Sequence, residues 1–334
     1  MIDFVHLVLT RKIPEDSFEW MVWKKKEWDD GGITFEYHCR SVVLRYYPAK
    51  WLLTIKGKLI QLLHDSQVKN LDDIYGNDTE AFMADLNRKM ELLLPKAGID
   101  IRDFEVKRID YCFNIHTTYV SEYLELLNNA FERLGHRGRV NHTRLHGLRG
   151  SAYIKTLGDY KENTLRNYVL NYYDKADQLL KQHNKKVRVT TEDMAWSQEI
   201  LRLEVQCGFQ FLKCFCQKMG VHRVFGDLCS CRFAYQAHKD IYGRVFGCNE
   251  EQDFYTYAAA KRRLNETGSK AAQTLLAVSR HQNVAAQEFS YGRKMLKQKG
   301  IYPFGLLPRT SAVEVLDNPL KLIRKKLESI GVEL

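Results

Sequence analysis

Residues Val106–Ile115 read V-K-R-I-D-Y-C-F-N-I, and this alternation constrains the fold more than any other stretch of the chain. Side chains two apart on a strand share a face. Ile109, Tyr111, Phe113 and Ile115 therefore make one apolar face, while Arg108, Asp110 and Asn114 point the other way. Such a segment sits with one face on a core and the other toward solvent or a polar site. Two further segments divide in the same manner. In Ile200–Gln206 the core face is Leu201, Leu203 and Val205, opposed by Arg202, Glu204 and Gln206. In Asn167–Asp177 (N-Y-V-L-N-Y-Y-D-K-A-D), Tyr168, Leu170 and Tyr172 oppose Asn171, Tyr173 and Lys175. If the three strands share a sheet, Asp110, Glu204 and Tyr173 converge on its uncovered side.

The rest of the chain supplies elements to support such a sheet. The first sixty residues read as strands, with Gly31-Gly32 turning the chain into Ile33–Tyr47, which ends at Pro48. Apolar residues at helical spacing mark a helix from Thr79 to Leu94, stopped by Pro95 and Gly98, and another over Val120–Leu134. A basic, glycine-punctuated loop, Arg137–Arg149, leads to a short strand at Ala152–Thr156; a helix starts near Ala176, and Phe209–Met219 is another. Beyond about residue 225 the periodicity is helical throughout, in Tyr257–Arg263, Ala271–Val278, Tyr291–Lys299 and Pro319–Ile330. The expected architecture is α+β over residues 1–225, an antiparallel sheet packed on helices with one open face, followed by a helical domain over 226–334.

Composition narrows the setting. At 334 residues, 45% hydrophobic and 28% charged, the chain has the make-up of a soluble globular protein large enough for two cores. No run approaches the roughly 20 apolar residues of a membrane span, and the opening Met1–Leu9 reads as a first strand rather than a signal peptide. The expected location is cytoplasmic, with the eight cysteines as reduced thiols. A net charge of +10 favours a polyanionic partner, nucleic acid ahead of an anionic membrane surface.

The residue types suggest a chemistry. A tyrosine hydroxyl beside a lysine is a candidate nucleophile with a cation for its phenolate, and two carboxylates with further oxygens suit Mg²⁺ or Mn²⁺. The competing reading is that the Arg–Asp and Arg–Glu neighbours only decorate a solvated sheet face. Arg137, Arg139, Arg144, Arg149, Lys185, Lys186 and Arg188 are the candidate phosphate contacts, with His136, His142 and His146 flanking the same loop. Cys214/Cys216 and Cys229/Cys231 lack zinc-knuckle spacing and read as buried thiols. Phosphate-binding glycine loops, H-E-x-x-H and G-x-S-x-G do not occur.

Several short motifs, in order, resemble the gene II-type replication initiators of filamentous phages and related plasmids, rolling-circle nickases allied to the HUH endonucleases. They are Met1-Ile-Asp, Glu36-Tyr-His38, Pro48-Ala-Lys50, Arg108-Ile-Asp110, Tyr173-x-Lys175 with Asp177, Arg202-Leu-Glu204, and Phe211-Leu-Lys213 up to Gly220. The likeness spans about residues 1–225. No His-x-His occurs among the eleven histidines, and Tyr47 stands where the family has the serine of S-P-A-K. The resemblance implies an HUH/Rep-like sheet, with Tyr173 attacking a phosphodiester to give a 5′-phosphotyrosyl link and a free 3′-hydroxyl. It implies Asp110 and Glu204 as metal ligands, and Lys175 as the cation that stabilises phenolate or phosphate. Lys175 and the metal would both lower the phenol pKa from its usual value near 10. Adjacent Tyr172 is the alternative nucleophile if the register slips by one. The implied partners are origin DNA and the host helicase and polymerase, with an oligomer open. A conjugative relaxase with the same chemistry and a non-catalytic origin-binding protein remain the alternatives.

Overall fold

In the computed structural model the three alternating segments lie side by side. Described are residues 1–18, 22–29, 31–125, 127, 142–143, 151–156, 160–161, 164–165, 167–184, 189–247, 249–265, 269–279, 286–302, 306 and 313–334. Ten strands form one sheet: β1 (Ile2–Thr10), β2 (Lys24–Glu27), β3 (Ile33–Cys39), β4 (Val42–Tyr47), β5 (Leu52–Gly57), β6 (Glu105–His116), β7 (His142–Thr143), β8 (Ser151–Thr156), β9 (Tyr168–Asp174) and β10 (Ile200–Gly208). Their order is β2-β3-β4-β5-β1-β6-β10-β9-β8-β7, antiparallel at every step. The α+β class with a large antiparallel sheet is thus observed.

One face of this sheet carries the main core. Ile109, Tyr111 and Phe113 of β6, Leu201, Leu203 and Val205 of β10, and Tyr168, Leu170 and Tyr172 of β9 all belong to one apolar cluster. Each large side chain taken out of water contributes on the order of 1.5–3 kcal/mol, which fixes the register, because a slip by one residue would turn them all outward. The helices are α1 (Leu71–Tyr75) and α2 (Thr79–Leu93) before β6, and α3 (Lys175–Asn184) and α4 (Thr191–Trp196) between β9 and β10. After β10 come α5 (Phe209–Met219), α6 (Phe225–Leu228), α7 (Cys231–Phe246), α8 (Tyr257–Leu264), α9 (Lys270–Ser279), α10 (Ala286–Gln298) and α11 (Pro319–Ser329). Of all these, α1, α2, α5, α6, α7 and α11 place residues in the core cluster, whereas α3 and α4 lie elsewhere. α5 buries Phe211, Leu212, Phe215 and Cys216, one stripe at helical spacing, and stops at Gly220 in the left-handed conformation (φ 68°).

The main core crosses the boundary expected near residue 225. Leu228 of α6, Phe233 and Ile241 of α7, and Leu320, Ile323 and Leu327 of α11 share it with the sheet, and the Tyr111 hydroxyl donates to the Leu228 carbonyl at 2.8 Å. A separate apolar cluster gathers Tyr255 with Ala260, Leu264, Leu275 and Leu296 of α8, α9 and α10. The sequence periodicity registers helices in both places, but it does not say which of them lies on the sheet. Among the described residues no helix is long and apolar enough to cross a membrane.

Candidate functional site

The second face of β6, β10 and β9 is polar, as the alternation requires. Cross-strand register places Asp110 opposite Gln206, Cys112 opposite Glu204, Asn114 opposite Arg202, Glu204 opposite Asn171, and Arg202 opposite Tyr173. Directly opposed side chains stand about 5 Å apart, and diagonal neighbours come within reach of long side chains. The Tyr173 hydroxyl accordingly donates to Glu204 Oε2 at 3.1 Å, while Gln206 Nε2 donates to Oε1 of the same carboxylate at 2.7 Å. Asp110, Glu204 and Tyr173 do share one face. Tyr172 lies on the other, fully buried in the main core opposite Leu203.

This face is closed where the site lies. Asp110, Tyr173, Lys175, Arg202 and Glu204 are all buried to 95% or more. The segment Val68–Asn70, leading into α1, lies over it: the Val68 carbonyl accepts from Asn114 Nδ2 (3.2 Å) and Arg202 Nη2 (3.4 Å), and Asn70 Oδ1 also accepts from Arg202. Leu179 of α3, Val68 and Ile200 form a small apolar cluster that seals the end of the face. Asp3 and Arg108, with 24% and 21% of their side chains exposed, mark the side that reaches solvent.

Burial sets the charges. Desolvation pushes Asp110 up to about 7, even though Arg108 holds both its oxygens through Nε (2.8 Å) and Nη2 (2.6 Å). Glu204 is likewise raised, by burial and then by the charge of Asp3. Tyr173 is raised well above the usual phenol value, first by burial and then by Glu204. Lys175 is lowered well below the usual ammonium value by burial and then by Arg202 and Lys58.

Two expectations are corrected here. β9 ends at Asp174, so Lys175 is the first residue of α3 rather than a strand neighbour of Tyr173, and its ammonium donates to Gln178 Oε1 at 2.6 Å. The phenol of Tyr173 is raised rather than lowered, by burial and then by Glu204. The Mg²⁺ or Mn²⁺ site expected at Asp110 and Glu204 is not formed either. Among the described residues no group of three or more His, Cys, Asp or Glu side chains is arranged to hold an ion. The carboxylate oxygens are already spoken for, those of Asp110 by Arg108 and those of Glu204 by Tyr173 and Gln206. The cysteine pairs Cys214/Cys216 and Cys229/Cys231 form no such group, and all four are free thiols.

Two residues of the site carry no signal in the alternation pattern. β1 pairs Ile2 with Tyr111 and Phe4 with Asp110, so Asp3 is an extra, bulged residue aimed at the polar face. Its carboxylate lies 3.3 Å from Arg202 Nη2 and 3.5 Å from Lys58 Nζ. Against the upward push of burial, these two cations hold Asp3 far below the ordinary carboxylate range. Lys58 is placed by Gly57, whose φ of 136° and contact with the Ser41–Val42 backbone exclude a side chain. A tripeptide match flagged Asp3 without a role; nothing flagged Lys58.

Other matched motifs lie apart from this cluster. Glu36 and His38 are on β3, four strands from β6, or roughly 19 Å at ordinary strand spacing. There Lys26, His38 and Arg45 hold Glu36 down at about 2 against its burial. Pro48–Lys50 forms a single 3₁₀ turn at the end of the β4–β5 hairpin remote from Gly57. The candidate phosphate contacts Arg137, Arg139, Arg144, Arg149, Lys185, Lys186 and Arg188 lie outside the described residues, as do His136 and His146.

No family model matches the chain, and no curated protein matches it.

Proposed function

We propose that the protein is a DNA strand-nicking and rejoining enzyme, a rolling-circle replication initiator acting in the cytoplasm on an origin, with Tyr173 as its nucleophile. The observation that carries the reading is the hydrogen bond from the Tyr173 hydroxyl to Glu204, on a sheet face that also bears Arg202. A buried phenol with a raised pKa is unreactive unless its proton is removed as it attacks. Glu204, 3.1 Å away and itself raised by burial, is a stronger base than an exposed carboxylate and is placed to take that proton. The Tyr173 oxygen then bonds to phosphorus, the bond from phosphorus to the 3′ oxygen breaks, and that oxygen leaves as a hydroxyl on taking a proton from water, while Glu204 returns the tyrosine proton to solvent. Reversal of the same step rejoins the strand. Arg202, kept cationic by Asp3, would offset charge on the phosphoryl oxygens. The net charge of +10 supports DNA as the substrate. An HUH/Rep-like origin of the sheet and involvement of host helicase and polymerase belong to this proposal.

A second reading, a non-catalytic origin-binding protein, is favoured by the near-complete burial of Tyr173. The test is a cleavage assay on end-labelled single-stranded DNA and on supercoiled origin DNA from the same replicon, comparing wild type with Tyr173→Phe and Glu204→Gln. Protein covalently attached to the 5′ end in wild type, and absent from Tyr173→Phe, is the expected result. An adduct that persists in Tyr173→Phe moves the nucleophile elsewhere. Origin binding without any adduct establishes the second reading.

A further inference from the structure

Beneath the Tyr173–Glu204 pair the polar face holds more positive than negative charge. Arg202 and Lys58 both disfavour the Lys175 ammonium, and Arg202 disfavours that of Lys58, behind burial in each case. Asp3 is the carboxylate that contacts Lys58 and Arg202. Of the neighbouring acids, Asp110 is paired with Arg108, while Glu204 accepts from the neutral Tyr173 and Gln206 and its charge also acts on Arg202. Lys175 has as its acceptor a neutral amide oxygen, Gln178 Oε1. Buried cations in excess of their counter-charges are costly unless an anion joins them or a proton leaves.

Two buried donors point to the same conclusion. Arg202 Nε and Asn70 Nδ2 have no acceptor, although Arg202 Nη2 and Asn70 Oδ1 are bonded to each other. Arg202 is 1% exposed and Asn70 fully buried. Each unsatisfied buried donor costs on the order of 1–3 kcal/mol, and native structures keep few of them. Two donors without acceptors, beside the Lys58 ammonium on the Gln67 carbonyl and Asp3 and the Lys175 ammonium on Gln178, form a donor set that the oxygens of one tetrahedral anion can use.

We propose that Asn70, Arg202, Lys58 and Lys175 form a phosphate-binding site in which the protein's own cations hold a phosphodiester. The link to Tyr173 rests on the strand-cleavage reading, in which the bound diester is the one attacked; the anion site itself does not depend on it. Asp3, bulged out of β1 beside the solvent-reaching edge, is the counter-ion that an incoming phosphate displaces or shares. Because burial and its cationic neighbours disfavour the Lys175 ammonium, an arriving negative charge favours it again, and binding draws in a proton.

Isothermal titration of the full chain with two probes tests this: the dinucleotide thymidylyl-(3′→5′)-thymidine, which carries one phosphodiester, and inorganic phosphate. The expected result is saturable binding of one dinucleotide per chain, with proton uptake seen as a dependence of the heat on buffer ionisation enthalpy. Lys175→Met weakens binding by about tenfold or more, the ordinary worth of a charge-assisted hydrogen bond, and abolishes the proton uptake. Asn70→Ala weakens binding without changing the uptake. Circular dichroism establishes that each variant is folded. Absence of saturable binding, or undiminished affinity and uptake in Lys175→Met, overturns the proposal. Binding of inorganic phosphate but not of the dinucleotide overturns the diester assignment. Retained dinucleotide binding with no covalent adduct on DNA sinks the cleavage reading alone, whereas an adduct formed without dinucleotide binding sinks the anion site alone.

Discussion

Replacing Asp110 by Asn should flatten a large part of the pH dependence of stability. The folded carboxyl titrates at about 7 against an ordinary value of 3.8, because burial outweighs the two bonds from Arg108. Between those pH values the folded chain keeps a proton that the unfolded chain has released. A raised carboxyl therefore adds stability that is fully present below the unfolded pKa and is lost as pH rises through the folded one. One pKa unit corresponds to about 1.4 kcal/mol, so ionising Asp110 inside the fold costs on the order of 4 kcal/mol at high pH. Asn cannot ionise, and its amide oxygen still accepts from Arg108. Urea unfolding of wild type and Asp110→Asn, followed from about pH 4 to about pH 8, measures the difference directly. The variant should gain on wild type by about 1.4 kcal/mol per pH unit up to about pH 7 and then level off. Any change in the Arg108 contact adds a nearly constant offset and leaves the slope alone. Parallel stability curves would refute the reasoning, because they would mean that Asp110 titrates alike in both states.

Gly57→Ala should destabilise the chain by about 3 kcal/mol, since the new Cβ meets the Ser41–Val42 backbone at a φ of 136°. Gly31→Ala, at a φ of 75° with open space around it, should cost only about 1 kcal/mol; equal shifts in the urea midpoint would remove steric contact as the cause. His238 of α7, fully buried beside the Phe113 ring, is pushed down to about 3 by desolvation. Its neutral form is the one that folds, so its share of stability is complete above about pH 6.5 and fades as pH falls toward 3. His238→Leu should thus lose less stability than wild type between about pH 6.5 and pH 4, and an identical acid slope would show that His238 does not carry it.

The parts of the fold that were legible in the sequence are those governed by a short period. Ile109, Tyr111 and Phe113 against Asp110 and Asn114, and Leu201, Leu203 and Val205 against Arg202 and Glu204, each specify a face without reference to any other strand. Tyr173 was separable from Tyr172 on the same ground, and Thr79–Leu93 and Phe209–Met219 follow from their apolar stripes. Strand order was not legible, because alternation says which face is buried but not which neighbour pairs. The end of β9 is hidden for a related reason: Lys175 continues the alternation, yet Asp174 caps the following helix, its Oδ1 accepting from the backbone of Ala176 at 2.9 Å and of Asp177 at 3.2 Å. Asp3 depends on a bulge and Lys58 on a glycine turn, and neither leaves a periodic trace.

The charge-bearing residues of the polar face were thus readable singly, and their chemistry was not, because it arises from closure of that face. Asp110 and Glu204 look like hard-cation ligands while they are imagined in water, where both would be ionised. Once Val68–Asn70 and α3 lie over them, each carboxyl needs a donor of its own, and Arg108, Gln206 and Tyr173 supply those donors. The same closure leaves Lys58 and Arg202 with Asp3 as their contacting acid and Lys175 with the neutral Gln178 amide oxygen. An exposed sheet would have tolerated that imbalance in solvent. In a buried one it becomes a driving force for taking up an anion, and the residues that suggested a metal site by their type act, by their surroundings, as neighbours of a site for a phosphate.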